Sequence, residues 1–73
     1  MKFNIKDKVI LNKSGKACYE RNASYKKIPP NEIMEIVGTA GFDNGRDIYI
    51  VEWNKLQDYY FEGCLEKIDM REL

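Results

Sequence analysis

The chain contains no histidine, so it lacks the residue most often used as a general base or a metal ligand. Its two cysteines, Cys18 and Cys64, are too few for a four-ligand zinc site by themselves. Cys18 lies in a basic stretch that would favour a thiolate, but no base is present to complete a Cys/His pair. The sequence therefore predicts no enzyme, with no catalytic residues, no metal site and no cofactor.

Long apolar runs are also missing. No stretch approaches the roughly 20 apolar residues of a membrane helix, and the opening residues, Met-Lys-Phe-Asn-Ile-Lys, do not resemble a secretory signal. We therefore expect a cytoplasmic protein with reduced thiols and no membrane partner. A disulfide between Cys18 and Cys64 remains an alternative.

The length, 73 residues, allows one domain, and neither a repeat nor a linker divides it. We expect its core within about residues 3–69 and a frayed tail at 70–73. Net charge is zero, but residues 1–30 carry eight basic and two acidic residues, whereas 31–73 carry four basic and ten acidic ones. Such asymmetry is typical of a surface for a polyanion or an acidic partner, or the two halves neutralise each other on folding.

The first segment alternates apolar and polar residues, with Phe3, Ile5, Val9 and Leu11 at odd positions, which predicts a half-buried strand. From 12 to 32 the pattern is lost, and Ser14-Gly15 and Pro29-Pro30 interrupt it. This stretch is predicted to be a long loop.

Asn44-Gly45 predicts a tight hairpin turn, since both residues tolerate the positive φ that a type I′ turn requires. A two-residue loop would then fix the strand register. The expected core pairs are Ile36 with Trp53, Gly38 with Val51 and Ala40 with Tyr49, and Phe42 is expected beside Asp47. The opposite face would pair Val37 with Glu52, Thr39 with Ile50 and Gly41 with Ile48.

Four residues of that opposite face, Val37, Thr39, Ile48 and Ile50, form a largely apolar patch and are our candidates for a protein interface. Alternatively, the 12–32 loop folds over this face and covers it with Tyr19, Tyr25 and Ile28. Residues 54–58 read as a turn, 59–62 as a short strand, and Leu65 and Ile68 as core residues. The predicted fold is all-β, a small five-stranded barrel with a long first loop.

The order of "DKVIL", a long irregular loop, "GTAGF", a tight turn, "YIVEW" and "LEKI" resembles small Src-homology-3-like barrels, and most closely the KOW-type and similar domains of bacterial and phage proteins. The resemblance covers about residues 3–69. It implies a non-enzymatic barrel that binds peptides, protein surfaces or nucleic acid through its first loop and exposed sheet. The chain departs from the KOW pattern because no compact basic turn follows the first strand.

The predicted function is a non-catalytic binding module, a small regulator or inhibitor that docks on a larger protein. One alternative is a nucleic-acid-associated barrel, because the long loop mixes cations with stackable rings. The candidate residues for that contact are Lys13, Lys16, Tyr19, Arg21, Tyr25, Lys26 and Lys27. The zero net charge and the pI of about 6.2 oppose it. Another alternative is a homo-oligomer that pairs through the Ile48/Ile50 face or an edge strand.

Overall fold

The computed structural model describes residues 3–68, and it shows a mostly β fold built on one antiparallel sheet. The elements follow the chain as β1 (Lys8–Leu11), α1 (Lys13–Arg21), β2 (Met34–Asp43), β3 (Arg46–Trp53), β4 (Leu56–Phe61) and β5 (Leu65–Lys67). Two 3₁₀ turns, Ala23–Tyr25 and Glu62–Cys64, lie between them. The tail expected to fray at 70–73 is outside the described residues.

The strands are arranged in the order β4-β3-β2-β1-β5, which confirms the prediction of five strands. The sheet is not closed into a barrel, because no hydrogen-bonded ladder joins β4 to β5 within residues 3–68 and both remain edges. The all-β prediction is also wrong in one respect, since the fold includes α1.

Helix α1 occupies the stretch that the sequence predicts as a loop. Asn12 is its N-cap, and the Asn12 side chain accepts a hydrogen bond of 2.9 Å from the Gly15 N–H. At the other end, the Asn22 N–H donates to the carbonyls of Cys18 and Tyr19. The helix has only nine residues and a glycine in its first turn, so its sequence lacks the long apolar stripe by which a helix is usually recognised.

Gly15 is needed where it stands because the helix touches the Glu62–Cys64 turn there. A Cβ at Gly15 would overlap the carbonyl oxygen of Cys64 and lie 3.0 Å from Leu11 Cδ2. The glycine that reads as a helix breaker therefore permits the helix to pack against the end of the sheet.

The hairpin between β2 and β3 begins as predicted. Asn44 and Gly45 both have positive φ, at 52° and 77°, and the pairing of Phe42 with Asp47 and of Gly41 with Ile48 confirms the register near the turn.

Farther from the turn, the predicted register is wrong because β2 carries two irregular steps, between Thr39 and Gly41 and between Ile36 and Gly38. Each step adds a residue to β2 without a partner on β3. The observed partners are Glu35 with Glu52, Ile36 with Val51, Gly38 with Ile50 and Thr39 with Tyr49. The expected pairs were Ile36 with Trp53, Gly38 with Val51, Ala40 with Tyr49, Val37 with Glu52 and Thr39 with Ile50, and all five are wrong.

The core lies on one side of the sheet and contains ten buried apolar residues: Phe3, Val9, Leu11, Ile28, Met34, Ile36, Tyr49, Val51, Tyr60 and Leu65. The Phe3 N–H donates to the Tyr49 hydroxyl at 3.1 Å, and the two rings meet edge to face. Ile5, expected to face inward, is 56% exposed. The reason is local: Lys6 has a φ of 78°, so the extended chain is interrupted and β1 starts only at Lys8.

Asp58 joins the segment after α1 to the sheet. This carboxylate on β4 is buried and accepts hydrogen bonds from the backbone N–H groups of Lys27, at 3.0 Å, and Ile28, at 2.9 Å. Hydrogen bonds to an ionised acceptor are among the stronger ones in proteins. They hold Ile28 in place as a core residue between α1 and β2.

We expect Gly15→Ala to destabilise the fold by about 1–2 kcal/mol, measured by urea unfolding. Overpacking against backbone costs about 1–3 kcal/mol, and alanine returns up to about 1 kcal/mol of helix propensity. The matched control is Gly63→Ala, where an added Cβ meets nothing within 4 Å, and we expect a change within about 0.5 kcal/mol. An increase in the free energy of unfolding for Gly15→Ala would show that helix propensity alone determines the effect of a substitution at this position.

Candidate functional site

The candidate site is the side of β3 and β4 that faces away from the core, which we call the outer face. Tyr49 and Val51 are buried, so strand alternation places Ile48 and Ile50 on the outer face, as the sequence predicts. Both isoleucines are half-buried by their neighbours in the sheet.

The β2 side of the outer face is formed by glycine backbone. Gly41 is paired with Ile48, and Gly38 with Ile50. A Cβ at Gly38 would lie 3.6 Å from Ile50 Cδ1, so the isoleucine side chain extends over this glycine. The β2 partners of Ile48 and Ile50 therefore add no side chains of their own to the outer face.

The other two predicted interface residues do not pair with the isoleucines. Thr39 is exposed and is paired with Tyr49, and Val37 lies in an irregular step of β2, half-buried. The structure thus brings Ile48 and Ile50 together along one strand, but it pairs Thr39 with Tyr49 and leaves Val37 in an irregular step without a partner on β3.

Two residues of the outer face were missed by sequence reasoning, namely Tyr59 and Phe61 on β4. Tyr59 is paired with Ile50, Phe61 is paired with Ile48, and Tyr59 is 56% exposed. Their positions follow from the turn at 54–55, where Asn54 and Lys55 have positive φ, and no strong sequence signal indicates that turn. A two-residue turn there sets the β3–β4 register in the same way as Asn44-Gly45 does for β2–β3.

The three side chains expected to cover the isoleucines lie elsewhere. Ile28 is in the core, Tyr19 packs against the core, and Tyr25 is 81% exposed. At the Ile48 end, a cleft of about 260 Å³ separates the outer face from the segment after β1. Its lining includes Cys18, Asn22 and Lys26. The segment therefore borders one end of the outer face.

One cation lies over this end of the outer face, and a second is bound at the free edge of β4. The Arg46 guanidinium is 4.1 Å from the Phe61 ring centroid, in a cation–π contact. Lys26 Nζ donates to the Tyr59 carbonyl at 2.7 Å and lies 3.9 Å from the Tyr60 ring centroid. The apolar strip thus ends in positive charge, while Glu52 and Gln57 are paired at its other end.

Four of the seven predicted nucleic-acid residues lie on α1, and the other three follow it in the chain. Lys13, Lys16 and Arg21 are exposed on α1, and Lys27 is exposed after it. Lys26 is engaged with β4, as described above. The oppositely charged halves of the chain also meet, since Lys8 Nζ is 2.6 Å from Glu35 Oε1. This ion pair favours partial mutual neutralisation of the halves.

Tyr60 lies on the core side of β4, directly behind the outer face. Its hydroxyl is buried and has no hydrogen-bond partner among the described residues. Burial raises the pKa of the Tyr60 phenol, and the negative charge of Asp58 raises it further. A buried hydroxyl without a partner carries an uncompensated desolvation cost.

Both thiols are free and half-buried, and they line one cleft beside α1. Among residues 3–68, no group of three or more His, Cys, Asp or Glu side chains is arranged to hold a metal ion. In the same described part of the chain, no helix has the length and apolar character to cross a membrane.

No family model, curated protein or solved structure showed a significant match to this chain.

We expect Tyr60→Phe to leave the free energy of unfolding unchanged or to raise it by up to about 1 kcal/mol, because it removes an unpaired buried hydroxyl. The matched control is Tyr49→Phe, which removes a buried hydroxyl that accepts a hydrogen bond from the Phe3 N–H. That change should cost about 1 kcal/mol. Urea unfolding measures both, and a Tyr60→Phe variant less stable than Tyr49→Phe would contradict the expectation.

A comparison of wild type with Tyr60→Phe also tests the Tyr60 pKa. The Tyr60 phenol has a higher pKa in the folded state than in the unfolded state. The stability linked to this difference is fully present below the unfolded pKa of about 10 and is lost as pH rises through the alkaline range. Wild type should therefore lose more stability than Tyr60→Phe between neutral pH and about pH 11. Equal losses would indicate that Tyr60 ionises as freely in the folded state as in the unfolded state.

Proposed function

We propose that this chain is a non-catalytic binding module that docks on a larger protein through the outer face of β3 and β4, and regulates or inhibits that protein. The observation that carries the proposal is the exposed ring of Tyr59 beside Ile48 and Ile50, whose partners on β2 are the glycines Gly41 and Gly38. The lack of histidine supports a non-catalytic role.

The outer face has enough apolar surface to contribute substantially to the free energy of binding. Burial of one isoleucine contributes about 1.5–3 kcal/mol, and an exposed tyrosine is among the residues that most often dominate binding energy. Ile48 and Ile50 are already half-buried, so Tyr59 offers the largest additional burial. We therefore place the centre of the contact at Tyr59 and Ile50.

The charges at the end of the outer face favour one kind of partner. Arg46 is exposed, and its guanidinium lies over Phe61 next to the apolar strip. A partner that presents apolar side chains followed by a carboxylate would match both the strip and the cation. Such a pairing contributes mainly to orientation and to association rate.

The relation to Src-homology-3-like barrels of the KOW type, and to small bacterial or phage regulators, is the finer part of the proposal. It is supported by the five short antiparallel strands and by the long segment between β1 and β2. The open sheet and helix α1 are departures from that pattern.

Nucleic-acid binding is the second candidate. The observation in its favour is the exposure of Lys13, Lys16 and Arg21 on one short helix. Glu20, four residues after Lys16 on the same side of the helix, reduces the local charge.

The test compares Tyr59→Ala with Tyr25→Ala, which is the same change in a tyrosine that is 81% exposed away from the outer face. Each variant and wild type are used as bait in nuclease-treated lysate of the native host, and the retained proteins are quantified. We expect one protein to be retained by wild type and Tyr25→Ala, and its affinity to fall about tenfold or more with Tyr59→Ala. Ile50→Asp should give the same loss.

Other outcomes contradict the proposal in distinct ways. Equal retention by Tyr59→Ala and Tyr25→Ala would exclude the outer face. A salt-dependent affinity for a labelled oligonucleotide that Lys13→Glu with Lys16→Glu abolishes would favour nucleic acid. A dimer in sedimentation analysis that Ile50→Asp converts to monomer would show that the face serves a second copy of this chain.

A further inference from the structure

The two cysteines are 46 residues apart in the sequence, yet the fold brings them to one cleft of about 450 Å³. Cys18 lies in the second half of α1, and Cys64 ends the 3₁₀ turn that precedes β5. Ser14, Arg21 and Arg46 also line this cleft. Both cysteines are free and half-buried, so they are accessible to a small reagent.

The approach of the two cysteines is imposed by the backbone on both sides. The Asn12 N–H donates to the Cys64 carbonyl at 3.0 Å, and Asn12 Nδ2 donates to the Gly63 carbonyl at 2.8 Å. The Cα of Gly15 lies so close to the Cys64 carbonyl that a Cβ there would overlap it. Cys18 is three residues after Gly15, hence on the same side of the helix and one turn farther along.

Both thiols line this cleft, and the two side chains interact there. Burial raises the pKa of the Cys64 thiol, and Cys18 raises it further through its charge and through a hydrogen bond between the two side chains. Asn22 Nδ2 also donates to Cys18 Sγ, at 3.6 Å. Cys18 sulfur thus has a donor on its own helix and the other thiol beside it.

We infer that Cys18 and Cys64 form a reversible thiol–disulfide site, which a low-molecular-weight disulfide such as oxidised glutathione converts to an intramolecular disulfide. In the first step, one cysteine thiolate attacks a sulfur of oxidised glutathione, forms a mixed disulfide and releases one glutathione thiolate. In the second, the other cysteine, as its thiolate, attacks the protein sulfur of the mixed disulfide, forms the Cys18–Cys64 bond and releases the second glutathione. The protein loses two electrons and two protons, and oxidised glutathione gains these two electrons and two protons.

The surroundings assign different roles to the two sulfurs. Cys18 attacks first, because the Asn22 amide donates a hydrogen bond to its sulfur, whereas burial raises the pKa of the Cys64 thiol. Cys64 acts as the resolving thiol. The new bond ties α1 to the turn before β5, a connection that the fold otherwise makes through backbone contacts at Asn12 and Gly15.

The experiment incubates the folded wild-type protein with a series of ratios of reduced to oxidised glutathione, quenches with acid and analyses the species by mass spectrometry. We expect a monomer that has lost two hydrogen atoms, with peptide mapping that joins Cys18 to Cys64. The thermal midpoint of this species should rise by about 10 °C, since the bond closes a long loop. Doubly glutathionylated monomer or an intermolecular dimer as the dominant product would overturn the inference.

A second measurement separates a preformed site from any two thiols on a flexible chain. The equilibrium constant for disulfide formation is measured in buffer, where the protein is folded, and in concentrated urea, where it is unfolded. By thermodynamic linkage, the ratio of the two constants is the factor by which the disulfide shifts the equilibrium towards the folded state. We expect a constant at least about tenfold larger in buffer. A constant equal to or smaller than the one in urea would show that the fold does not bring the sulfurs together.

Two variants test the assigned order. Cys64→Ser should accumulate a mixed disulfide at Cys18, because no resolving thiol follows. Cys18→Ser should form its mixed disulfide at Cys64 at least about tenfold more slowly. Equal rates would overturn the assigned order, and the wild-type measurements test the disulfide itself even if either variant folds poorly.

Discussion

The contact between the first turn of α1 and the carbonyl of Cys64 is the constraint on which the rest of this small fold depends. It requires a glycine at 15, and it is strengthened by two hydrogen bonds from Asn12. A nine-residue helix is marginal by itself in water, so its stability comes from such packing. The helix then brings Cys18 to the same cleft as Cys64 and packs Cys18 and Tyr19 against the core.

The same constraint decides which side of the sheet is covered. Once α1 is held at the Glu62–Cys64 turn, the chain continues on the core side, where Asp58 binds the backbone of Lys27 and Ile28. Ile28 fills the core and is not available to the outer face. A chain this short has little surplus to cover both sides, and Tyr59 remains exposed on the outer one.

Much of the sheet could be predicted from local patterns. Alternation along β3 separates Tyr49 and Val51 from Ile48 and Ile50, and Asn44-Gly45 defines the turn and the first pairs. The predicted register is wrong where contacts between segments distant in the chain determine the pairing. The irregular steps in β2 change the partner of Ile36 from Trp53 to Val51. The position of Tyr59 beside Ile50 was not predicted, because it depends on the turn at 54–55. No strong sequence signal indicates the positive φ values of that turn.

The sequence by itself determined the five strands, the position of the first hairpin turn and the two-sided character of β3, because these follow from residue alternation and from the φ preferences of single residues. Only the tertiary structure decided that 13–21 is a helix, that the sheet stays open and that Cys18 and Cys64 line one cleft. The physical reason is that each of these depends on contacts between segments distant in the chain. The backbone approach of Gly15 to Cys64 is the clearest example, since neither residue alone carries a sign of it.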